Sequence, residues 1–286
     1  MTYPEPNIRI NVDVTNPGQF FACCGLLELA DRLWPGAEGW FSLSNFQFCI
    51  RLKNPTNTLQ ELLYECKQLS FNIDDNSNGD NDDENDNALV LPILMKWKDE
   101  TDAILLDWWS DKSIKPWAGS MKHKHILRAM LDAIDPAHSD PFNDMRNVYD
   151  AQRDTVPQTD GRKQRIGKSK KREPFYFDPR RGNKSHPLDS GFSPDTHHME
   201  SDCCPVVEAL CFIGFQRARP APTDTPNRSC YSVWTTPLTA NVLNPAVCGI
   251  LTLPNSMTCV FENYFRTDQR KHKTFSQSKL ERNSNV

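Results

Sequence analysis

The chain lacks most of the short signatures that announce an enzyme. It has no Walker sequence and no G-x-G-x-x-G, so no phosphate-cradling nucleotide loop is indicated. It has no G-x-S-x-G, which removes the strand-turn-helix serine nucleophile. Paired C-x₂-C spacing is absent, and a structural zinc site wants such pairs so that two thiolates leave one tight turn. No run approaches the roughly 18 apolar residues of a membrane helix. The first residues, MTYPEPNIRI, carry no basic region followed by an apolar block and do not read as a secretory signal. Neither a cofactor nor a metal is expected from these absences.

What remains is a chain of 286 residues, enough for one large domain or two small ones. Hydrophobic residues make up 38% and aromatics 10%, so a sizeable core is available. Ten cysteines without an export signal read as reduced thiols in a cytoplasm. The net charge of −4 conceals a strong segregation. Residues 74–87, DDNSNGDNDDENDN, hold seven acids and no base; residues 162–172, RKQRIGKSKKR, hold seven bases and no acid.

The apolar pattern organises the rest. Ile8, Ile10, Val12 and Val14 alternate, which predicts a half-buried strand over 8–14. Asn16 and Pro17 open a helix as cap and first helical residue, and Pro35–Gly36 ends it. Within it Phe20, Cys23, Cys24, Leu27, Ala30 and Leu33 recur at three and four residues. Residues 40–52 predict one or two strands, with Trp40, Phe46, Phe48 and Ile50 in step; 58–69 predict an amphipathic helix. The 74–87 tract cannot build a core and reads as a disordered acidic loop. Strands are expected at 88–94 and 103–109. The order β-α-β-β-α-β is that of a ferredoxin-like unit, an α+β class.

Farther on, 120–134 read as a helix, 174–178 as a short strand and 205–216 as a buried helix started by Pro205. YSVWTTPL, VCGILTL and TCVFENYF read as strands. The expected organisation is a ferredoxin-like unit over 1–110, a second α+β half over 111–269 with a basic loop at 151–186, and a polar, frayed tail at 270–286.

Several residues invite chemistry and are absorbed by blander readings. Cys23 and Cys24 diverge by about 100° on a helix, so they cannot easily share a metal, and they read as core. Cys203 and Cys204 have the same adjacent spacing. His123 and His125 face different sides of a helix, and His197–His198 lack a ligand spacing. Asp107, Asp111, Asp178, Asp189 and Asp195 raise a two-metal nuclease, but their scatter matches no such signature; Asp178–Pro179 and Asp195–Thr196 suit turns.

The basic block carries the functional signal. Dense Lys and Arg neutralise phosphates and gain affinity by releasing counterions. Arg162, Lys163, Arg165, Lys168, Lys170, Lys171, Arg172, Arg180, Arg181 and Lys184 are the candidate phosphate contacts. Phe175 and Tyr176 just beyond them are candidate stacking platforms for single-stranded bases. A solvated loop attracted to the acidic tract is the alternative.

Four phrases then stand out in order: NVDVTNPGQFFACCGLLELADRLWPGAEGWF, LLDWWSDKSIKPWAGSMKHKHI, LDSGFSPD and PVVEALCFIGFQRARP. Together the chain resembles the Csb-type proteins of type I-U (also called I-G) CRISPR systems, in particular the third member of that series. The resemblance spans roughly residues 8–220. It implies antiviral defence within a multisubunit, crRNA-guided complex that binds target DNA, and partners that are other Cas proteins together with crRNA or target DNA. Backbone subunits of such complexes use ferredoxin-like (RAMP) folds. The family supplies no catalytic residues to carry over. A non-catalytic subunit is therefore the expectation. The alternatives are a metal-independent crRNA-processing endoribonuclease, for which His123, His125 or His186 would serve as general acid or base, and a bridging subunit that contacts only proteins.

Overall fold

Asn16 begins the first helix as its sequence context demands. Its backbone is extended and its side chain accepts the Gln19 N–H at 3.1 Å, which satisfies an orphan donor of the first turn. In a computed structural model of the chain, residues 5–71, 93–97, 103–108, 123–149, 171–180, 202–265 and 272–281 are described. The acidic tract at 74–87 lies outside them.

The architecture is α+β with antiparallel sheets. Strand β1 (Ile8–Asn11) leads into helix α1 (Pro17–Leu33), then the hairpin β2 (Glu38–Ser42) and β3 (Gln47–Arg51). Both edges of β3 are paired antiparallel, giving the order β1-β3-β2. Ile8, Ile10, Phe48, Ile50 and Phe41 are buried, as one face of the sheet packs on the core. Helix α2 (Leu59–Gln68) starts with a capping box between Thr58 and Glu61. The short β4 (Ser70–Phe71) follows and pairs with β5 (Ile93–Lys96), which pairs with β6 (Ile104–Leu106). These three form their own sheet. A ferredoxin-like unit would place the strand after its second helix beside β1; the fourth strand of the first sheet is instead β9 (Leu238–Thr239), on the far side of β2.

Helix α3 (His123–Asp132) packs near α2, and the two exchange C-terminal caps. Arg128 donates to the Leu69 and Lys67 carbonyls, at 2.8 and 3.1 Å, and Lys67 Nζ donates to the Ile134 carbonyl at 2.8 Å. Helix α4 (Pro205–Arg217) is buried from Pro205 to Phe215. A third sheet follows: β7 (Ala221–Pro222), β8 (Arg228–Val233), β10 (Met257–Phe265), β11 (His272–Phe275) and β12 (Lys279–Leu280).

Several expectations need correction. The recurrence at three and four residues predicts one buried face of α1, but Pro17 to Ala30 are all buried: α4 covers one side while the β8–β10 region and the first sheet cover others. VCGILTL is not a strand. Its start closes helix α5 (Leu243–Val247), and Gly249 turns the chain with φ +72°. Phe46 is not in step with Phe48; it sits at the β2–β3 turn with φ +53°. Residues 174–178 join no ladder, and Tyr176 among them is left-handed, with φ +65°. The tail beyond 270 does not fray over its described residues: Phe275 is core, and Ser278 bonds the Thr15 carbonyl. Of the strand expected at 88–94, only Ile93 and Leu94 are described, and both belong to β5.

One core joins both halves of the chain. Phe20 of α1 stacks on Tyr231 and Phe41, with ring centroids 4.2 and 5.3 Å away, and meets Trp234 edge-on at 5.6 Å. Trp234 Nε1 donates to the Gly39 carbonyl at 2.9 Å, and Tyr231 donates to the Val14 carbonyl at 2.8 Å. Polar tips thus find partners while rings fill the interior.

Candidate nucleic-acid interface

Helices α1 and α4 run parallel. At their N-terminal ends Asn16 and Glu208 both bond Asp178; toward their C-terminal ends Glu28 pairs with Arg217. Residues 174–180 pass across the two N-terminal ends. Glu208 accepts the Phe177 and Asp178 N–H groups at 3.3 and 3.1 Å, and Asn16 Nδ2 donates to Asp178 at 2.8 Å. Carboxylates at helix N-termini are favoured by the macrodipole, so Asp178 and Glu208 occupy from within a location that an external anion would otherwise suit. Gly18 makes the approach possible, since a Cβ there would lie 2.8 Å from the Asp178 backbone.

Arg180 belongs to this junction. Its Nε donates to both Asp178 oxygens at 3.1 Å, and a terminal nitrogen donates to the Phe142 carbonyl at 2.7 Å. Burial disfavours its charge, but the hydrogen bonds and charge of Asp178 outweigh that and raise its pKa. Arg180 is thus committed to the fold and carries its charge against an internal partner. Lys171 faces Glu173 at 3.5 Å, and Tyr176 donates to the same Glu173.

The stacking expectation for Phe175 is corrected. Its ring is fully buried, stacked on Phe212 at 4.7 Å and tilted against Phe177 at 5.1 Å. No face remains for a base. Tyr176 between them is also buried, with φ +65°, and its carbonyl accepts the Phe275 N–H at 3.2 Å. The apolar alternation of PFYFD is a core signal, and proximity to cations in sequence disguises it.

Of the expected phosphate contacts, Lys171, Arg172 and Arg180 are described. Arg162, Lys163, Arg165, Lys168, Lys170, Arg181 and Lys184 lie outside the described residues. The frame around them is well defined. Tyr149 and Lys171 form an antiparallel bridge, and the Arg172 N–H donates to the Val148 carbonyl at 2.8 Å. A second bridge joins Arg146 to Cys203, with N–H···O bonds of 2.9 and 3.0 Å. Tyr149 and Lys171, the described residues on either side of 150–170, are therefore neighbours. Arg180 lies beside Phe142, and Cys203 lies beside Arg146.

Cys23, Cys24, Cys66, Cys204 and Asp107 resolve as structure. Cys23 and Cys24 are fully buried, and burial pushes both thiols far up. Burial likewise pushes Cys66 and Cys204 up to about 12. A thiolate nucleophile needs the opposite environment. Asp107 exchanges two hydrogen bonds with Gln216. His123 and His125 both lie on α3 and are half-buried; His186, His197, His198, Asp111, Asp189 and Asp195 lie outside the described residues. Among the described residues no group of three or more His, Cys, Asp or Glu is placed to hold a metal ion, and no helix is long and apolar enough to cross a membrane.

One surface residue was not anticipated. Phe46 is 72% exposed at the hairpin tip. The sequence signal was the dipeptide Asn45–Phe46 between two strands, in which an aromatic follows the residue that a turn would want in its left-handed position. Compared with protein-family models, curated proteins and solved structures, the chain matches none.

Proposed function

We propose that the chain is a non-catalytic subunit or accessory protein of a type I-U/I-G CRISPR effector complex in the cytoplasm. In this reading it holds crRNA or target DNA by the phosphate backbone through residues 162–184. The four quoted phrases support the system. The β1-β3-β2 order with α1 between β1 and β2 matches the first four elements of a ferredoxin-like, RAMP-type unit, while the separate β4-β5-β6 sheet departs from it. The observation that carries the nucleic-acid reading is the Tyr149–Lys171 bridge. It holds Tyr149 beside Lys171, and seven bases without one acid fall within residues 162–172. So dense a cationic sequence suits backbone contact rather than base-edge readout. Asp178 and Glu173 engage Arg180 and Lys171 internally, so the binding charge in this reading is chiefly that of residues 162–170 with Arg181 and Lys184.

The test uses the full chain and labelled single-stranded RNA and DNA oligonucleotides. Replacing the seven bases of 162–172 by Gln should weaken binding at low salt. It should also flatten the log–log salt slope by roughly 0.7 for each phosphate that is no longer neutralised. Unchanged low-salt affinity would remove this segment as the binding element.

A further inference from the structure

Of the ten cysteines only Cys230 and Cys248 are not buried, and the fold brings both to one edge of the third sheet. Cys230 sits on β8. Its neighbour Tyr231 and the next alternate residue, Val233, are core, so Cys230 and Ser232 turn to the opposite face of the strand. The turn after α5 lies on that face: a Cβ on Gly249 would come 3.2 Å from Ser232 Oγ. Cys248 immediately precedes this glycine. Its thiol donates to the Arg219 carbonyl at 3.2 Å, and Asn244 of α5 accepts the Arg219 N–H at 3.1 Å. Arg219 in turn stands just before β7, where Ala221 is the ladder partner of Cys230. Separate contacts thus fix both thiols against the β7–β8 edge.

Two accessible thiols on one patch meet a different fate from one. A mixed disulfide formed by the first with a small molecule is open to displacement by the second. Burial raises both thiols above the ordinary 9.0, and the charges of Glu281 and Cys248 raise Cys230 further. Both therefore stay protonated at neutral pH, unlike a catalytic thiol. Where reducing conditions prevail, disulfides that do form are mostly transient and respond to oxidant.

We propose that Cys230 and Cys248 form a reversible oxidation site, closed by a small-molecule disulfide of the glutathione class. The Cys248 thiolate attacks one sulfur of glutathione disulfide, forms a mixed disulfide and releases one glutathione thiolate. The Cys230 thiolate then attacks the Cys248 sulfur and releases the second. Each protein thiol gives up its proton, the pair loses two electrons, and one glutathione disulfide is reduced to two thiols. Closure takes the Cys248 sulfur off the Arg219 carbonyl and ties the turn after α5 to β8. Residues 231–247 become a covalent loop, and they include Trp234 and β9, which bond β2. Oxidation thereby clamps the seam between the first and third sheets. This goes beyond the nucleic-acid reading and does not rest on it.

The experiment treats the reduced full chain with oxidised glutathione in mildly alkaline buffer and reads intact mass and non-reduced peptide maps. Wild type should lose two hydrogens, carry no glutathione and yield one cross-linked peptide pair that holds Cys230 and Cys248. Dithiothreitol should undo the bond. Cys230→Ser and Cys248→Ser should each stop at a mixed disulfide with one glutathione. Oxidised wild type should melt several degrees above the reduced chain, because the bond restricts the unfolded state. Glutathione retained on wild type overturns the proposal, as does a bond between two copies, a bond to another cysteine or no reaction at all. A melting temperature that does not rise on oxidation overturns it too, by showing that the native patch does not accommodate the bond.

Discussion

Gly25 and Gly214 face each other where α1 and α4 meet. A Cβ on Gly25 would lie 2.9 Å from the Gly214 nitrogen and closer still to the Leu210 carbonyl oxygen. A Cβ on Gly214 would lie 2.8 Å from the Gly25 nitrogen and closer still to the Phe21 carbonyl oxygen. The approach is backbone against backbone, and it is reciprocal. Three residues farther along each helix, Glu28 meets Arg217 in the same register.

Gly25→Ala and Gly214→Ala should each destabilise the chain by roughly 2–4 kcal/mol, since carbonyl groups rather than flexible side chains would have to yield. Alanine's better helix propensity, worth about 1 kcal/mol, acts the other way and is outweighed. Urea unfolding measures the difference. An unchanged midpoint would mean that the helices do not meet at these glycines.

Glu28 gives the fold a dependence on acid. Burial pushes its carboxyl up, but hydrogen bonds and charges of Arg217 and Arg32 prevail and hold it below the ordinary 4.5. A depressed folded-state pKa supplies stability above the unfolded value that is lost as pH falls through the folded one. Glu28→Gln should cost about 2 kcal/mol near pH 7 and leave two arginines without their carboxylate. The gap between wild type and variant should close as pH drops below about 4.5. A gap that stays constant with pH would exclude this role for the carboxylate.

Thiol labelling separates the cysteines. Eight of ten are buried, and Cys230 and Cys248 are half-exposed. Iodoacetamide should modify those two first in the native chain and the rest only on unfolding, as peptide mass spectrometry would read out. The Cys23→Ala, Cys24→Ala double variant should lose about 2 kcal/mol through vacated core volume and keep its affinity for oligonucleotides. Lost affinity in a folded double variant would make the pair functional.

Truncation tests the C-terminal segment. Ending the chain at residue 269 removes buried Phe275 and the bonds of Gln277 and Ser278 to Asp13 and Thr15. A cooperative transition should disappear or shift down by several kcal/mol. Ending it after Glu281 keeps all those bonds and should leave the transition in place. Equal stability of the two truncated chains would contradict the packing of β11 and β12.

Local sequence signals carried the elements that begin with a cap. Asn16–Pro17 and Thr58 mark helix starts whose side chains make the bonds their types suggest. The fate of Cys23 and Cys24 was equally legible, because adjacent helix positions cannot share a ligand. Tertiary choices were not. Nothing near Ser70 says that β4 will pair with Lys96 and Met95 rather than lie beside β1. Nothing near Phe275 says that a polar tail will close the core. At the candidate site, charge density drew attention to 162–184 and misled on Phe175: side-chain type suggested stacking, while the alternation with Phe177 meant burial. Phe46 was hidden for the opposite reason, since apolar periodicity counts a ring without knowing whether the chain has turned.

The close seam between α1 and α4 also sets the order in which the chain can fold. Helix α1 buries nearly its whole surface, and its covering partner α4 is made 189 residues later. A ribosome would have released β1, α1 and the first hairpin long before α4 existed to cover them. The apolar surface of α1 stays uncovered until Arg217 and then Phe275 have been made. Long-range closure of this kind slows folding and exposes apolar surface to aggregation. Slow refolding from denaturant, and a gain in soluble yield when translation is slowed or chaperones are raised, follow from two glycines meeting across most of the chain.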